Sequence, residues 1–208
     1  MKTPFREQLK RHGFHHPAVL NAIEAVPREQ FVPENLATEA YADSPLPIGF
    51  GQTISQPFIV AYMTWKLQVS PDDRVLEVGT GSGYQAAVLS RLVREVISVE
   101  IVPELAGRAF ETLMKLDITN VTVLHRNGQE GCPELAPYDA VMVTAASPEI
   151  PGALVDQLKV GGRLIIPVGD PHAPQQLRIL TKALDGNHTV DDLLAVRFVP
   201  LTGKKKLV

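Results

Sequence analysis

Three glycines at alternate positions follow an apolar run with the composition of a buried strand, and this feature constrains the fold most strongly. Residues 75–84 read Val-Leu-Glu-Val-Gly-Thr-Gly-Ser-Gly-Tyr, which places the glycines at Gly79, Gly81 and Gly83. Glycine is needed where backbone approaches a ligand closely or adopts a positive φ, and a helix that follows offers free N–H groups to polar ligand atoms. The run therefore predicts a strand, turn and helix that bind a nucleotide-type cofactor.

The spacing of these glycines argues against a dinucleotide as that cofactor. A dinucleotide fingerprint has its third glycine one position later, where this chain has Tyr84. Glu100 ends the next predicted strand about 20 residues after Gly79, where an acidic side chain accepts hydrogen bonds from a ribose diol. The spacing therefore weakens the case for a pyrophosphate, and Glu100 predicts a ribose diol in the ligand; the alternatives are an ordinary glycine-rich turn and an exposed glutamate.

The apolar runs that follow predict a doubly wound α/β fold. Short β-branched segments at 74–78, 96–100, 121–125, 140–144 and 163–168 alternate with helical patterns at 86–92, 104–116 and 150–158. Such alternation is typical of a mostly parallel sheet with helices on its faces. Right-handed crossovers then bring the carboxyl ends of the strands to one edge, where we expect the ligand.

The two ends of the chain add to this Rossmann-like core. Strand-like runs at 176–184 and 193–201, joined by a polar turn at 185–187, predict an antiparallel ending of the sheet. Two short helices at 5–11 and 17–25, a proline- and glycine-rich segment at 44–57 and a helix at 58–67 predict an N-terminal helical cap. We expect one catalytic domain over 1–208, with the cap and substrate segment in 1–70 and the cofactor-binding core with the C-terminal substrate strands in 71–208.

Composition excludes several classes of protein. Lysine and arginine total 20 against 23 aspartate and glutamate residues, a net charge of −3, which gives no electrostatic case for nucleic acid. A single cysteine, Cys132, excludes an intramolecular disulfide, and His12, His15 and His16 lack companion ligands at metal-site spacing. No signal core or membrane-spanning run is evident. These features predict a cytoplasmic protein without a metal or a membrane partner.

The glycine loop resembles motif I of class I S-adenosylmethionine-dependent methyltransferases, and further segments resemble one family within them. These segments read Pro-Ile-Gly-Phe-Gly-Gln-Thr-Ile-Ser-Gln-Pro at 47–57, Pro-Tyr-Asp-Ala at 137–140, Gly-Gly-Arg-Leu at 161–164 and Val-Arg-Phe-Val-Pro-Leu-Thr at 196–202. Their order and spacing are similar to the protein-L-isoaspartate O-methyltransferases over essentially the whole chain. The glycine loop identifies only the superfamily, whereas the segments at 47–57 and 196–202 are specific to this family.

The resemblance implies methyl transfer from S-adenosyl-L-methionine to the free carboxylate of L-isoaspartyl residues in damaged proteins and peptides. The methyl ester then cyclises to a succinimide, which starts repair, and S-adenosyl-L-homocysteine is the other product. The family assigns a catalytic role to Ser55, and we expect the protein to be a monomer. Cofactor-binding residues implied in this way are Gln52, Thr53, Glu77, Gly79, Thr80, Gly81, Ser82, Gly83, Glu100, Ile101, Asn127, Gly128 and Thr202. Substrate-binding residues are Ile54, Ser55, Val196, Phe198 and Val199, with the backbone of 196–199 pairing with the peptide as an added strand.

Two features leave alternatives open. Ser55 precedes Gln56-Pro57, a common helix start, so its hydroxyl can serve as a helix cap. Asn127 stands where relatives have aspartate, which removes a charge from the expected adenine contact. The competing functions are a class I methyltransferase acting on a small molecule or RNA, a non-catalytic S-adenosylmethionine-binding domain and, more distantly, a dehydrogenase.

Overall fold

The N-terminal part of the protein is mainly helical. The computed structural model describes residues 5–170 and 172–203. It begins with helices α1 (Phe5–Arg11) and α2 (Pro17–Glu24), followed by 3-10 turns at Arg28–Phe31 and Glu34–Glu39, an antiparallel hairpin of β1 (Leu46–Gly49) and β2 (Gln52–Ile54), and helix α3 (Pro57–Leu67). Proline at the first turn starts both α2 and α3. The predicted helical cap is therefore present.

The rest of the structure is a mixed sheet of seven strands together with the helices and turns that connect them. In chain order its elements are β3 (Arg74–Val78), α4 (Tyr84–Ser90), β4 (Glu95–Glu100), α5 (Pro103–Lys115), β5 (Val121–His125), 3-10 turns at Gly128–Glu130 and Pro133–Leu135, β6 (Tyr138–Val143), α6 (Gly152–Asp156), β7 (Leu158–Val168), β8 (Gln175–Lys182) and β9 (His188–Val196). The strand order is β5-β4-β3-β6-β7-β8-β9, with β3 to β7 parallel and β8 and β9 antiparallel. The predicted fold class is confirmed.

Alternating side chains of the central strands bury the two faces of the sheet separately. On β3, Val75 packs with Leu67 of α3 and Leu89 of α4, whereas Leu76 packs on the opposite face with Leu154 of α6. This period of two is the geometry of an extended strand, and burial on both faces explains why these strands are apolar throughout. The sheet is thus covered by helices on both faces.

The order of the strands reverses at β3, and this reversal positions the ligand site. Strand β3 pairs with β4 on one side and with β6 on the other, so the chain leaves the sheet in opposite directions at the ends of β3 and β6. A crevice opens at such a switch point, outside the carboxyl ends of the strands. The glycine loop at 79–83 lies there, directly after β3.

Two predicted element boundaries differ from the structure. The helix predicted at 150–158 is the shorter α6, because Leu158 already pairs with Tyr138 and begins the long strand β7. The last strand is β9, several residues earlier than the predicted 193–201, and Ala183 closes the preceding turn by donating its N–H to Asn187 O. Six of the nine residues of β9 are exposed, and residues 188–192 carry no alternating apolar signal. The prediction therefore located only the last four residues of β9, 193–196, and extended into the apolar residues that follow the strand.

A buried polar chain runs beneath the glycine loop. Glu77 on β3 is fully buried, and the Ser98 hydroxyl on β4 donates a hydrogen bond of 2.5 Å to its Oε2. Thr80 Oγ1 lies 2.6 Å from Ser98 Oγ, which extends the chain to the loop. Burial, opposed in part by the Ser98 hydrogen bond, raises the pKa of Glu77 to about 8. The protein therefore keeps a largely protonated carboxyl group in its core at neutral pH.

This buried carboxyl group predicts a specific pH dependence of stability. The unfolded chain releases the Glu77 proton near its ordinary pKa of 4.5, whereas the folded chain holds it to about pH 8. The free energy of unfolding should therefore fall as pH rises through this window, by at most about 1.4 kcal/mol per pH unit from this group. Urea denaturation at several pH values gives the free energy of unfolding at each pH. This free energy should change less with pH for Glu77→Gln than for the unchanged protein.

Glu111→Gln is the matched control for this measurement, because Glu111 is exposed on α5. In Glu111→Gln the free energy of unfolding should change with pH as it does in the unchanged protein. If Glu77→Gln and Glu111→Gln behave alike, Glu77 is not the group responsible for the pH dependence.

Candidate active site

A cleft of about 760 Å³ lies at the carboxyl ends of β3, β4 and β6. Its floor is the glycine loop together with the last residues of these strands. The cap supplies one wall through the segment 52–55, and the C-terminal segment 199–202 supplies another. The cleft therefore lies at the switch point of the sheet, where the sequence predicted the ligand.

All three glycines of the loop adopt left-handed backbone conformations. The φ angles are +95° at Gly79, +54° at Gly81 and +87° at Gly83, which L side chains rarely adopt. Space is restricted as well, since a Cβ on Gly79 would lie 2.5 Å from Thr144 Oγ1 and one on Gly83 would lie 3.1 Å from Ala109 Cβ. Conformation thus favours glycine at all three positions, and packing restricts Gly79 and Gly83 further.

Glu100 is fixed by backbone hydrogen bonds from three residues. Its Oε2 accepts the N–H of Gly81 at 2.8 Å, and its Oε1 accepts the N–H groups of Ile101 at 2.9 Å and Val102 at 3.0 Å. A carboxylate has about four acceptor positions, so these bonds leave about one on Oε2. Glu100 therefore anchors the glycine loop and still offers an acceptor to a ligand in the cleft.

Ser55 lies between the hairpin and α3, outside both elements. The N-cap of α3 is Gln56, and no side chain of that residue or of Ser55 forms a cap bond. The Phe58 N–H instead donates to Asp43 Oδ1 at 3.4 Å. The capping role considered for Ser55 is therefore not observed, and Ser55 lines the cleft.

A second cavity, of about 970 Å³, adjoins the first between the cap and the end of β9. The two cavities share four lining residues, Thr53, Ser55, Thr144 and Val199. We call these four residues the shared wall. Ligands bound on its two sides would meet at this wall, so the arrangement is suited to transfer of a group from one ligand to the other.

The structure brings most of the predicted site residues together. Those that line the first cavity are Gln52, Thr53, Ile54, Ser55, Gly79, Thr80, Gly81, Ser82, Glu100, Ile101, Gly128, Val199 and Thr202. Those that line the second cavity are Thr53, Ser55, Val196, Phe198 and Val199. The individual roles of these residues stay predictions.

Three predicted cofactor-binding residues do not line either cavity. Glu77 lies beneath the loop in the buried chain described above, and Gly83 packs against Ala109. Asn127 uses its side chain locally, because its Oδ1 accepts from Gln129 N at 3.1 Å and its Nδ2 donates to Glu130 Oε1 at 2.9 Å. In this conformation the Asn127 side chain caps the 3-10 turn that follows it.

Thr144 is a site residue that the sequence analysis missed. Its Oγ1 donates to Gly79 O at 2.6 Å and lies 3.1 Å from Val78 O, so it holds the start of the glycine loop from the neighbouring strand. It also belongs to the shared wall. Its position at the end of the predicted strand 140–144 was a usable signal, since the switch point collects the residues at strand ends.

The described residues contain neither a metal cluster nor a membrane span. Within 5–170 and 172–203, no group of three or more histidine, cysteine, aspartate or glutamate side chains is arranged to hold a metal ion. In the same ranges no helix has the length and apolarity needed to cross a bilayer.

Sequence comparison identifies relatives of this chain. The family described as protein-L-isoaspartate(D-aspartate) O-methyltransferase matches residues 2–206. Protein-L-isoaspartate O-methyltransferase 1 of Anaeromyxobacter sp. strain Fw109-5 is 56% identical over 192 residues, covering 92% of this chain and 91% of that protein. The protein-L-isoaspartate O-methyltransferase of Myxococcus xanthus strain DK1622 is 54% identical over 200 residues, covering 95% and 94%.

Solved structures show the same relationship. A protein-L-isoaspartate O-methyltransferase is 31% identical with a TM-score of 0.87, and the match covers 98% of this chain and 66% of that one. A structure from Plasmodium falciparum, described as a putative enzyme of this kind in complex with S-adenosyl-L-homocysteine, is 31% identical with a TM-score of 0.84, and the match covers 95% and 96%. The chain belongs to the protein-L-isoaspartate(D-aspartate) O-methyltransferase family.

Proposed function

We propose that this protein transfers a methyl group from S-adenosyl-L-methionine to the free α-carboxylate of L-isoaspartyl residues in damaged proteins and peptides. The observation that carries the proposal is the shared wall, which separates a cleft suited to a nucleoside from a cavity at the end of an edge strand. The relatives named above support the substrate, and the Plasmodium falciparum structure supports the cofactor.

The residues of the first cavity fit this cofactor in both shape and charge. The glycines leave backbone without side chains along the floor, and Glu100 retains an acceptor position for a ribose hydroxyl. Among the described residues that line the cavity there is no lysine or arginine, and Glu100 is the only carboxylate. A pyrophosphate would gain no cationic side chain here and would depend on backbone N–H groups, whereas a sulfonium cation suits a lining whose one charged group is a carboxylate. The charge of the lining therefore suits the sulfonium cofactor.

Alignment is the main catalytic task of the protein in this reaction. S-Adenosylmethionine, when bound, supplies a methyl group on a positively charged sulfur. An α-carboxyl group has a pKa of about 3.5, so the acceptor is already ionised at neutral pH and the protein needs no general base. The shared wall can hold the acceptor in line and exclude water, and the Ser55 hydroxyl can donate to a carboxylate oxygen. We therefore assign Ser55 the catalytic role.

The second cavity suits a peptide that docks through its main chain. Strand β9 is the edge of the sheet, and its end at Val196 continues into the cavity lining at 197–199. Pairing through main-chain groups gives affinity without demanding particular neighbouring side chains. This property suits an enzyme that must accept damage in many sequence contexts.

Other features of the proposal rest on the sequence alone. We include in it a monomeric state, a cytoplasmic location, a single catalytic domain and the absence of nucleic-acid and membrane partners. Light scattering of the purified protein, with and without short RNA, tests the oligomeric state and RNA binding together. An expected mass of one chain in both samples would support the proposal.

The central prediction concerns the acceptor. When the protein is incubated with methyl-labelled S-adenosylmethionine and matched peptides, base-labile label should enter the isoaspartyl peptide and not the aspartyl peptide, because only the former has the proposed acceptor carboxylate. Heat-denatured protein is the control. Cofactor binding without label transfer would favour a non-catalytic domain, and label in RNA or in a small molecule would favour the other methyltransferases.

A second prediction tests Ser55. Ser55→Ala should lower kcat by about a hundredfold, because a displaced acceptor loses its alignment with the methyl donor. The midpoint of thermal unfolding should change little. Ser70→Ala, an exposed serine that lines neither cavity, is the control and should keep full activity. Equal kcat values for the two variants would remove Ser55 from the mechanism.

A third prediction tests Glu100. Glu100→Gln places an amide NH₂ among backbone N–H donors. The proposed charge-assisted bond from the ribose hydroxyl to the carboxylate, worth about 1.5–3 kcal/mol, is then lost. Calorimetric titration with S-adenosylhomocysteine should show a Kd raised by about tenfold to a hundredfold. Glu104→Gln, at an exposed glutamate in the first turn of α5, should leave the Kd unchanged. The same Kd in both variants would contradict a ribose contact.

A further inference from the structure

Arg28 is a fully buried arginine in the N-terminal cap. Its relative exposure is 0%, and none of the carboxylates in the described ranges forms an ion pair with it. Burial lowers its pKa to about 10, so the guanidinium stays charged at neutral pH. Asp43 favours the charged form through space without forming an ion pair, so the desolvation of the guanidinium is only partly offset, and apolar residues at such positions are often equally stable or more so. Fold stability alone therefore explains this arginine poorly.

The contacts of Arg28 connect the cap to the active site. Its Nη2 donates to Ser55 O at 2.8 Å, and its Nε donates to Ala40 O at 2.8 Å. The guanidinium carbon lies 4.9 Å from the ring centre of Tyr84, the first residue of α4. Ser55 and Tyr84 both line the first cavity. One buried side chain thus links three distant segments around the cleft.

The carbonyl of Ser55 needs such a donor because of where it lies. Strand β2 ends at Ile54 and helix α3 begins at Pro57, so neither element includes Ser55 in its regular pattern of hydrogen bonds. A carbonyl held at one point fixes the orientation of its peptide, and therefore the direction of the Ser55 Cα–Cβ bond. The Nη1 of Arg28 has no hydrogen-bond partner among the described residues, so the hydrogen bonds that fix the guanidinium are those of Nη2 and Nε.

We infer that Arg28 is a positioning residue, which orients the Ser55 hydroxyl at the shared wall by holding the Ser55 carbonyl from inside the cap. The inference rests on the proposed function and on the catalytic role assigned to Ser55. It extends the active site to a residue that touches neither cavity, so the cap acts as a support for the acceptor side of the site. Neither cofactor binding nor the acceptor specificity requires Arg28 directly.

The test is a double-mutant cycle between Arg28→Met and Ser55→Ala, measured as kcat for the isoaspartyl peptide. With Ser55 present, Arg28→Met should lower kcat about tenfold or more. In the Ser55→Ala background the same change should lower kcat by less than about threefold, because the group that Arg28 positions is absent. The Kd for S-adenosylhomocysteine should change less than about threefold throughout. Arg28→Lys, which keeps a cationic donor, should recover part of kcat.

Arg6→Met is the matched control. Arg6 is a partly exposed arginine of α1 that pairs with Glu24 at 2.6 Å, so it belongs to the cap but lies away from both cavities. Its kcat should equal that of the unchanged protein. If Arg28→Met lowers kcat equally in both backgrounds, or if folded Arg28→Met keeps full kcat, the inference is overturned. Should Arg28→Met not fold, Arg28→Lys replaces it in the cycle, and an equal loss of kcat in both backgrounds overturns the inference.

A measurement without catalysis separates this inference from the proposed function. Amide hydrogen exchange should be faster at residues 54–56 in Arg28→Met and unchanged at 79–83, because the glycine loop is held by Glu100 and Thr144 instead. If the unchanged protein does not methylate isoaspartyl peptide, the proposed function fails, and the exchange result decides whether Arg28 holds Ser55. Unchanged exchange at 54–56 would overturn the inference in either case.

Discussion

The carboxylate of Glu100 accepts three backbone hydrogen bonds at the end of β4, and the geometry of the cleft depends on them. They connect the glycine loop after β3 to the residues that follow β4, so the ends of these two strands are held together. A loop of left-handed glycines has high conformational entropy when unfolded and needs external contacts to stay ordered. Glu100 supplies such contacts while it keeps an acceptor position open to the cleft.

The glycine loop is also held by contacts with residues on the neighbouring strands and in the core. Thr144 binds the carbonyl of Gly79 from β6, and Thr80 contacts Ser98, which in turn contacts Glu77 in the core. The floor of the cleft is therefore supported from both neighbouring strands and from below. The opposite wall, at Ser55, has no comparable support from the sheet, and its carbonyl is held from the cap by Arg28.

The strands of the core could be predicted because burial on both faces makes them apolar from end to end. Glu100 could be predicted because topology alone places strand ends at one edge. The first part of β9 could not, since residues 188–192 are exposed and carry no alternation that distinguishes them from a loop, whereas 193–196 were predicted as strand. Arg28 could not either, because its bond to Ser55 spans 27 positions and its burial becomes visible only when the cap is packed. Sequence patterns show the local periodicity of helices and strands, whereas the hydrogen bond from Arg28 to Ser55 joins residues far apart in the chain.

The exposed outer edge of β9 has a consequence for the behaviour of the protein in concentrated solution. A free edge strand presents unpaired N–H and C=O groups that can pair with another copy of the same chain. Asp191 and Asp192 lie on this strand and both are exposed, and Asp192 pairs with Arg178 of β8 at 2.8 Å. An antiparallel pairing of two such edges that sets Asp191 opposite Asp191 would oppose like charges, which is destabilising. Asp191 thus discourages self-association in that register, while a short peptide that lacks this charge can still approach the edge.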